Sequence, residues 1–158
     1  MSKAQVLFDE YGESHRNGVN KAIHWVCIPA IMFSLFGLLY AIPFPFAEHK
    51  TFYLNWGAPV MLLTLAYYLR LSLSLFLGFV GIGFALLWGN QALGDALEGH
   101  GGYHALASLG IFVVAWIGQF IGHGIEGKKP SFLKDLQFLL IGPAWLLHFI
   151  FKKVGIPF

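Results

Sequence analysis

The 158 residues are 57% hydrophobic, 17% aromatic and only 11% charged, with a formal net charge of +2. That charge is too small for a nucleic-acid surface, and no basic run is interleaved with aromatic residues, so we expect no nucleic-acid partner. The composition is typical of a membrane protein, and we predict one all-α, membrane-embedded domain over residues 1–158.

The predicted elements begin with a short surface helix over residues 4–15, where Val6, Leu7 and Tyr11 recur at helical spacing. Four apolar segments follow, each close to the ~20 residues that a helix needs to cross the ~30 Å hydrocarbon core. They cover residues 23–40, 51–69, 71–89 and 103–122. We therefore predict a bundle of four spanning helices.

A fifth apolar segment, residues 138–151, is shorter and contains Gly142 and Pro143, which interrupt a regular helix. Lys152 and Lys153 follow it directly and would reach the opposite membrane face if the segment crossed. We predict that it forms an interfacial or re-entrant helix.

Basic residues concentrate on one predicted face of the membrane. With four crossings, seven of the ten share a side: Lys3, Arg16, Lys21, Arg70, Lys128, Lys129 and Lys134. The positive-inside rule makes that side cytoplasmic. We expect an integral membrane protein, in the inner membrane if the source is bacterial and in the endoplasmic reticulum if it is eukaryotic.

Glycines in two of the predicted spans indicate close helix contacts. Gly118 and Gly122 form a GxxxG pair, and the preceding span carries Gly78, Gly81 and Gly83. Helix backbones can approach each other where a side chain is missing. The alternative is that glycine is simply common in membrane helices.

Four of the seven histidines lie at or near the predicted cytoplasmic face: His15, His24, His123 and His148. His15 and His24 are nine residues apart, half a turn out of phase on one continuous helix. They can converge only if the chain bends between them. Asn17 and Gly18 offer that bend, and Asn20 is a good N-cap for a helix starting at Lys21.

The end of the fourth span adds His123 and Glu126, which share a helix face at i, i+3. Imidazoles with a carboxylate are ligands of Fe(II), Zn(II) or Mn(II), and such sites suit non-haem iron in particular. The alternative is ordinary interfacial anchoring of amphipathic side chains. Ionisable residues at spanning depth are costly, which favours a metal site formed by His15, His24 and His123 together.

Two weaker candidates accompany these residues. Asn20 is either only an N-cap or a residue that orients a metal ligand. His148 would complete the site if the fifth helix leans toward it.

Two stretches, "YGESHRNGVNKAIHWVCIPAI" and "QFIGHGIEGKKPSFLKDLQFLLIGPAWLL", resemble the DUF962 or Mpo1-like family of small membrane proteins. The resembling residues are Tyr11, His15, Asn20, His24, Pro29, Gly122, His123, Glu126, Pro130 and Pro143. The resemblance implies an Fe(II)-dependent dioxygenase of fatty acid α-oxidation, which converts a 2-hydroxy fatty acid and O2 to the fatty acid one carbon shorter plus CO2. It assigns the iron to His15, His24 and His123, with Glu126 as a further ligand or the partner of one.

The implied substrate has a polar head and a long apolar tail. Arg16, Lys21 or Lys128 would then steady its carboxylate at the membrane face, and the helices would hold its acyl chain. Many relatives carry an acidic residue near the place of His148, which leaves the fourth ligand open.

Two rival functions remain at this point. One is a noncatalytic helical membrane protein whose cytoplasmic residues bind lipid head groups or a partner. The other is a zinc-dependent membrane hydrolase with Glu126 as general base acting through water. The sequence leaves open the acyl-chain length, the number of metal ions and the oligomeric state.

Overall fold

The computed structural model describes residues 2–46, 49–97, 102–127 and 132–158, and all of their side chains except those of 132–137. Over these ranges the chain is all-α, as predicted, and contains no strand. The helices are α1 (Lys3–Gly12), α2 (Gly18–Ala41), α3 (Gly57–Leu71), α4 (Leu73–Ala96), α5 (Tyr103–Glu126) and α6 (Phe132–Val154).

Three helices in the described part of the chain are long and apolar enough to cross a membrane: α2, α4 and α5, with 24 residues each. They contain most of the first, third and fourth predicted spans. The predicted second span is not confirmed, because α3 has only 15 residues. That length gives about 22 Å of helix, short of the ~30 Å hydrocarbon core.

The late start of α3 has a local cause in a turn built around Asn55. The carboxamide of Asn55 donates to the carbonyls of Thr51 and Phe52, at 2.8 Å and 3.0 Å. Its oxygen accepts the N–H of Gly57 at 2.7 Å. The side chain thus uses the backbone groups that would otherwise start a helix, and the apolar segment begins with a turn.

The two terminal helices pack against each other. α1 ends at Gly12 and buries Ala4, Phe8 and Tyr11, whereas Val6 is 53% exposed. Leu7 packs against the same core, as its predicted spacing suggested. Val6 lies on the opposite side of the helix, since two residues turn it by about 200° from Phe8.

Helix α6 extends beyond the predicted apolar segment at both ends, and it continues through Pro143 without ending. Its side chains pack on α1, α2 and α4. Tyr68 of α3 reaches it as well, donating its hydroxyl to the carbonyl of Leu140 at 2.7 Å and stacking on Phe79 at 3.8 Å between ring centroids. The interfacial or re-entrant placement of this helix stays a prediction.

α2 lies at the centre and runs antiparallel to α5, its most extensive partner. A Cβ built on Gly118 would lie 2.6 Å from Cys27 Sγ, and one on Gly122 would lie 2.4 Å from Asn20 Oδ1. The GxxxG prediction is thus confirmed as a close helix contact. This pairing brings the start of α2 next to the end of α5.

Candidate metal centre

Three histidines from distant parts of the chain meet where α2 begins and α5 ends. His15 lies in the connection between α1 and α2, His24 in the second turn of α2, and His123 in the last turn of α5. One ligand atom from each lies within 4.8 Å of the others. His15 and His24 are each only 1% exposed.

The bend that allows this convergence is formed by the connection between α1 and α2. Asn17, not Asn20, caps α2: its carboxamide oxygen accepts the N–H groups of Val19 at 2.8 Å and Asn20 at 3.4 Å. The predicted helix start at Lys21 was therefore wrong, and the helix begins at Gly18. Both asparagines suit an N-cap, and the side chain of Asn20 has other partners.

Hydrogen bonds fix the tautomers of the two buried imidazoles. His15 Nδ1 lies 2.6 Å from the carbonyl of Tyr11, and His24 Nδ1 lies 2.9 Å from the carbonyl of Asn20. A carbonyl only accepts, so each Nδ1 carries the proton and each Nε2 keeps its lone pair in the neutral ring. The two Nε2 atoms face each other at 2.9 Å.

This arrangement fits a bound cation. Burial lowers the pKa of His15 from its usual 6.5 to about 4, so the ring is neutral near pH 7. The lone pair of this neutral ring then points at Nε2 of His24. Imidazole nitrogens bind metals at roughly 2.0–2.1 Å, so two of them on one ion lie about 3 Å apart. Three imidazoles suit iron, zinc or copper without choosing among them.

Glu126 lies against the connection that carries His15. Its carboxylate accepts the backbone N–H groups of Arg16 at 2.8 Å and Asn17 at 2.9 Å, and the carboxamide N–H of Asn20 at 3.1 Å. It is not part of the set of ligand atoms that lie within 4.8 Å of one another. Its geometry is that of an anchor, and its role as ligand or general base stays a prediction.

Asn20 links both halves of the site from inside α2. It is fully buried, and besides Glu126 its carboxamide N–H reaches the carbonyl of Ser14 at 3.3 Å. Gly122 leaves room for this carboxamide. The cap of α2 is Asn17 rather than Asn20, and the role of Asn20 in orienting a metal ligand stays a prediction.

Gly122→Ala is expected to weaken metal binding and lower the stability of the bundle by roughly 1–3 kcal/mol. The new methyl group would lie 2.4 Å from Asn20 Oδ1 and 3.5 Å from His24 Cε1, so the buried carboxamide must shift. Gly124→Ala is the matched control, because a Cβ there meets nothing within 4 Å. The midpoint of thermal unfolding and the metal stoichiometry should fall in Gly122→Ala but not in Gly124→Ala. Equal values in the two variants would contradict the close contact between Gly122 and Asn20.

The weaker substrate-binding candidates lie on the polar side of the cluster. Arg16, Lys21 and His148 line a cavity of about 300 Å³ that also borders His15. His148 stacks on Phe8 and its Nδ1–H donates to the carbonyl of Trp145, so the ring belongs to the α1–α6 contact rather than to the histidine cluster. Lys128 lies outside the described residues.

A second, apolar cavity borders the cluster from within the bundle. It has about 50 Å³ and is lined by His15 and His123 at one end and by Ile28, Met32 and Pro143 among its apolar residues. The last three also line a third cavity of about 210 Å³ between α2, α4 and α6. The two apolar cavities are therefore neighbours that share these three residues, and the first of them borders the imidazoles.

Two residues of this cavity went unnoticed in the sequence. Gln119 and Trp116 line it from α5. Gln119 precedes His123 by four residues, so the two share a helix face. A carboxamide inside an apolar span was the signal that could have found it.

The chain matches the sequence profile of a family described as "2-hydroxy-palmitic acid dioxygenase Mpo1-like" over residues 1–154. A curated protein of Saccharomyces cerevisiae (strain ATCC 204508 / S288c), named 2-hydroxy-palmitic acid dioxygenase MPO1, is 30% identical over 151 residues. The matched region covers 90% of this chain and 77% of the yeast protein. No solved structure matches the chain.

Proposed function

Because this chain belongs to the Mpo1-like family, we propose that it is an Fe(II)-dependent 2-hydroxy fatty acid dioxygenase. The reaction takes a 2-hydroxy fatty acid and O2 to the fatty acid one carbon shorter, CO2 and water. The observation that carries the proposal is the facing pair of buried Nε2 atoms of His15 and His24, 2.9 Å apart, with His123 beside them.

His15, His24 and His123 would hold the iron. When bound, Fe(II) supplies the chemistry for activating O2. The chain orients the ligands: the carbonyls of Tyr11 and Asn20 accept the Nδ1–H groups of the two buried rings and keep their Nε2 lone pairs directed at one point. Burial of the two rings keeps bulk water away from that point.

The cavities on either side of the cluster suit an amphiphilic acid. Arg16 and Lys21 border the polar cavity, where a carboxylate would find positive charge. Ile28, Met32 and Pro143 line both apolar cavities on the other side, where an acyl chain would lie. Since these cavities replace lipid rather than water around the acyl chain, their shape rather than their hydrophobicity should select the chain length.

Purified protein given Fe(II), O2 and 2-hydroxypalmitic acid, the acid in the yeast relative's name, should release CO2 and the acid one carbon shorter. Mass spectrometry of the products provides the measurement, with chelator-treated protein as the control. If protein with stoichiometric iron gives no shortened acid at any chain length, the dioxygenase proposal fails.

The two rival functions require different arrangements of the site residues. Anchoring to lipid head groups would leave the imidazoles at the surface, whereas His15 and His24 are almost fully buried. A zinc hydrolase needs a free general base, whereas the carboxylate of Glu126 already accepts three N–H groups. Metal analysis after anaerobic purification should find iron; stoichiometric zinc, with no activation by Fe(II), would favour the hydrolase.

A further inference from the structure

Trp116 lines the apolar cavity beside the histidines and carries a buried hydrogen-bond donor. Its indole Nε1 is buried and has no hydrogen-bond partner, and the residue lines the same cavity as His15 and His123. A buried N–H without an acceptor is destabilising, because it has lost its hydrogen bonds to water. An unpaired indole N–H next to the proposed metal site can donate to an acceptor on a bound substrate.

Gln119 adds a second polar group to the same wall. It lies one helical turn after Trp116 on α5, so their side chains share a face. Gln119 is 5% exposed and lines the same cavity as Trp116. Its carboxamide can both donate and accept. A buried polar residue within a spanning helix is a functional-site hypothesis by default.

We infer that Gln119 and the indole N–H of Trp116 bind the 2-hydroxyl group of the substrate and select hydroxylated fatty acids over plain ones. The inference rests on the proposed function and adds to it the residues that read the hydroxyl. Both residues would determine which acid binds, and neither would take part in bond breaking.

The chemistry of the wall favours a hydroxyl over a carboxylate. A hydroxyl donates one hydrogen bond and accepts others, which matches a carboxamide beside an indole N–H. Apart from the iron that His15 and His123 would hold, the described residues that line this cavity include no lysine or arginine, while Arg16 and Lys21 border the polar cavity on the other side of His15. A site built to pair a substrate hydroxyl disfavours the analogue that lacks it, because its own polar groups then stay unpaired.

The test compares the equilibrium binding of 2-hydroxypalmitic and palmitic acids to the whole protein in detergent without O2, both with Fe(II) and after metal removal. Trp116→Phe removes only the indole N–H donor and part of the ring, and Gln119→Leu removes the carboxamide at similar volume. Trp88→Phe, at a 57% exposed position on α4, is the matched control.

Each of the two variants should reduce the preference for the hydroxylated acid by about tenfold, with iron content unchanged and the control at the wild-type ratio. A wild-type ratio in both variants would overturn the inference, and so would an equal loss of affinity for the two acids. If the wild-type protein binds no iron and makes no shortened acid, the dioxygenase proposal fails. If the two substitutions still lower the preference for the hydroxylated acid in that metal-free protein, the hydroxyl site stands.

Discussion

His24→Ala should abolish both metal binding and turnover of 2-hydroxy fatty acids while the helices stay assembled. The substitution removes one of two Nε2 atoms that face each other at 2.9 Å and leaves His15 and His123 as the remaining imidazoles. Loss of a residue that only supports a ligand costs 10- to 100-fold in metal affinity, so loss of a ligand itself should cost at least about 100-fold.

The matched control is His104→Ala. His104 lies in the first turn of α5, at the end opposite His123, and its ring contacts that of Tyr40 at 5.2 Å between ring centroids. Metal content after anaerobic reconstitution and product formation are measured in both variants, and circular dichroism reports the helices. His24→Ala with wild-type metal stoichiometry would remove His24 from the site. A folded His24→Ala protein with neither metal nor activity, beside a normal His104→Ala protein, is the expected result.

The convergence of the histidines could be predicted because it follows from helical phase. Nine residues separate His15 and His24, and only a bend lets them meet. The exact helix start could not be predicted, since Asn17 and Asn20 are equally good capping residues. The choice depends on long-range contacts, because Glu126 binds the carboxamide of Asn20 from a segment 106 residues away.

The number of spanning helices shows what hydropathy leaves out. Residues 51–69 are apolar enough to cross, but hydropathy measures transfer into lipid and not backbone conformation. Asn55 turns the start of that segment into a hydrogen-bonded turn, so α3 is short. Gln119 was missed for a related reason: a single carboxamide barely changes the mean hydropathy of its span, and its meaning depends on the cavity that it lines.

Glu126→Gln is expected to reduce metal affinity by about 10- to 100-fold while the helices remain folded. The carboxylate accepts three N–H groups, two of them from the backbone of Arg16 and Asn17 directly after His15. A glutamine can accept with only one of its two terminal groups, so its NH2 would face an N–H donor. The connection should loosen, and with it the position of the His15 ring.

Saturation with metal separates an anchoring role for Glu126 from a direct one. If the carboxylate only positions His15, excess Fe(II) should restore most of the turnover in Glu126→Gln, because the ligands and the substrate cavities are intact. If it is a metal ligand in the working state or a general base, turnover at saturating iron should stay low. Glu10→Gln is the matched control, since Glu10 is exposed on α1 and does not line the polar cavity beside His15; it should bind iron and turn over substrate like the unmodified protein. A titration of activity against Fe(II) in the three proteins thus decides whether this carboxylate acts through His15 or at the reacting atoms.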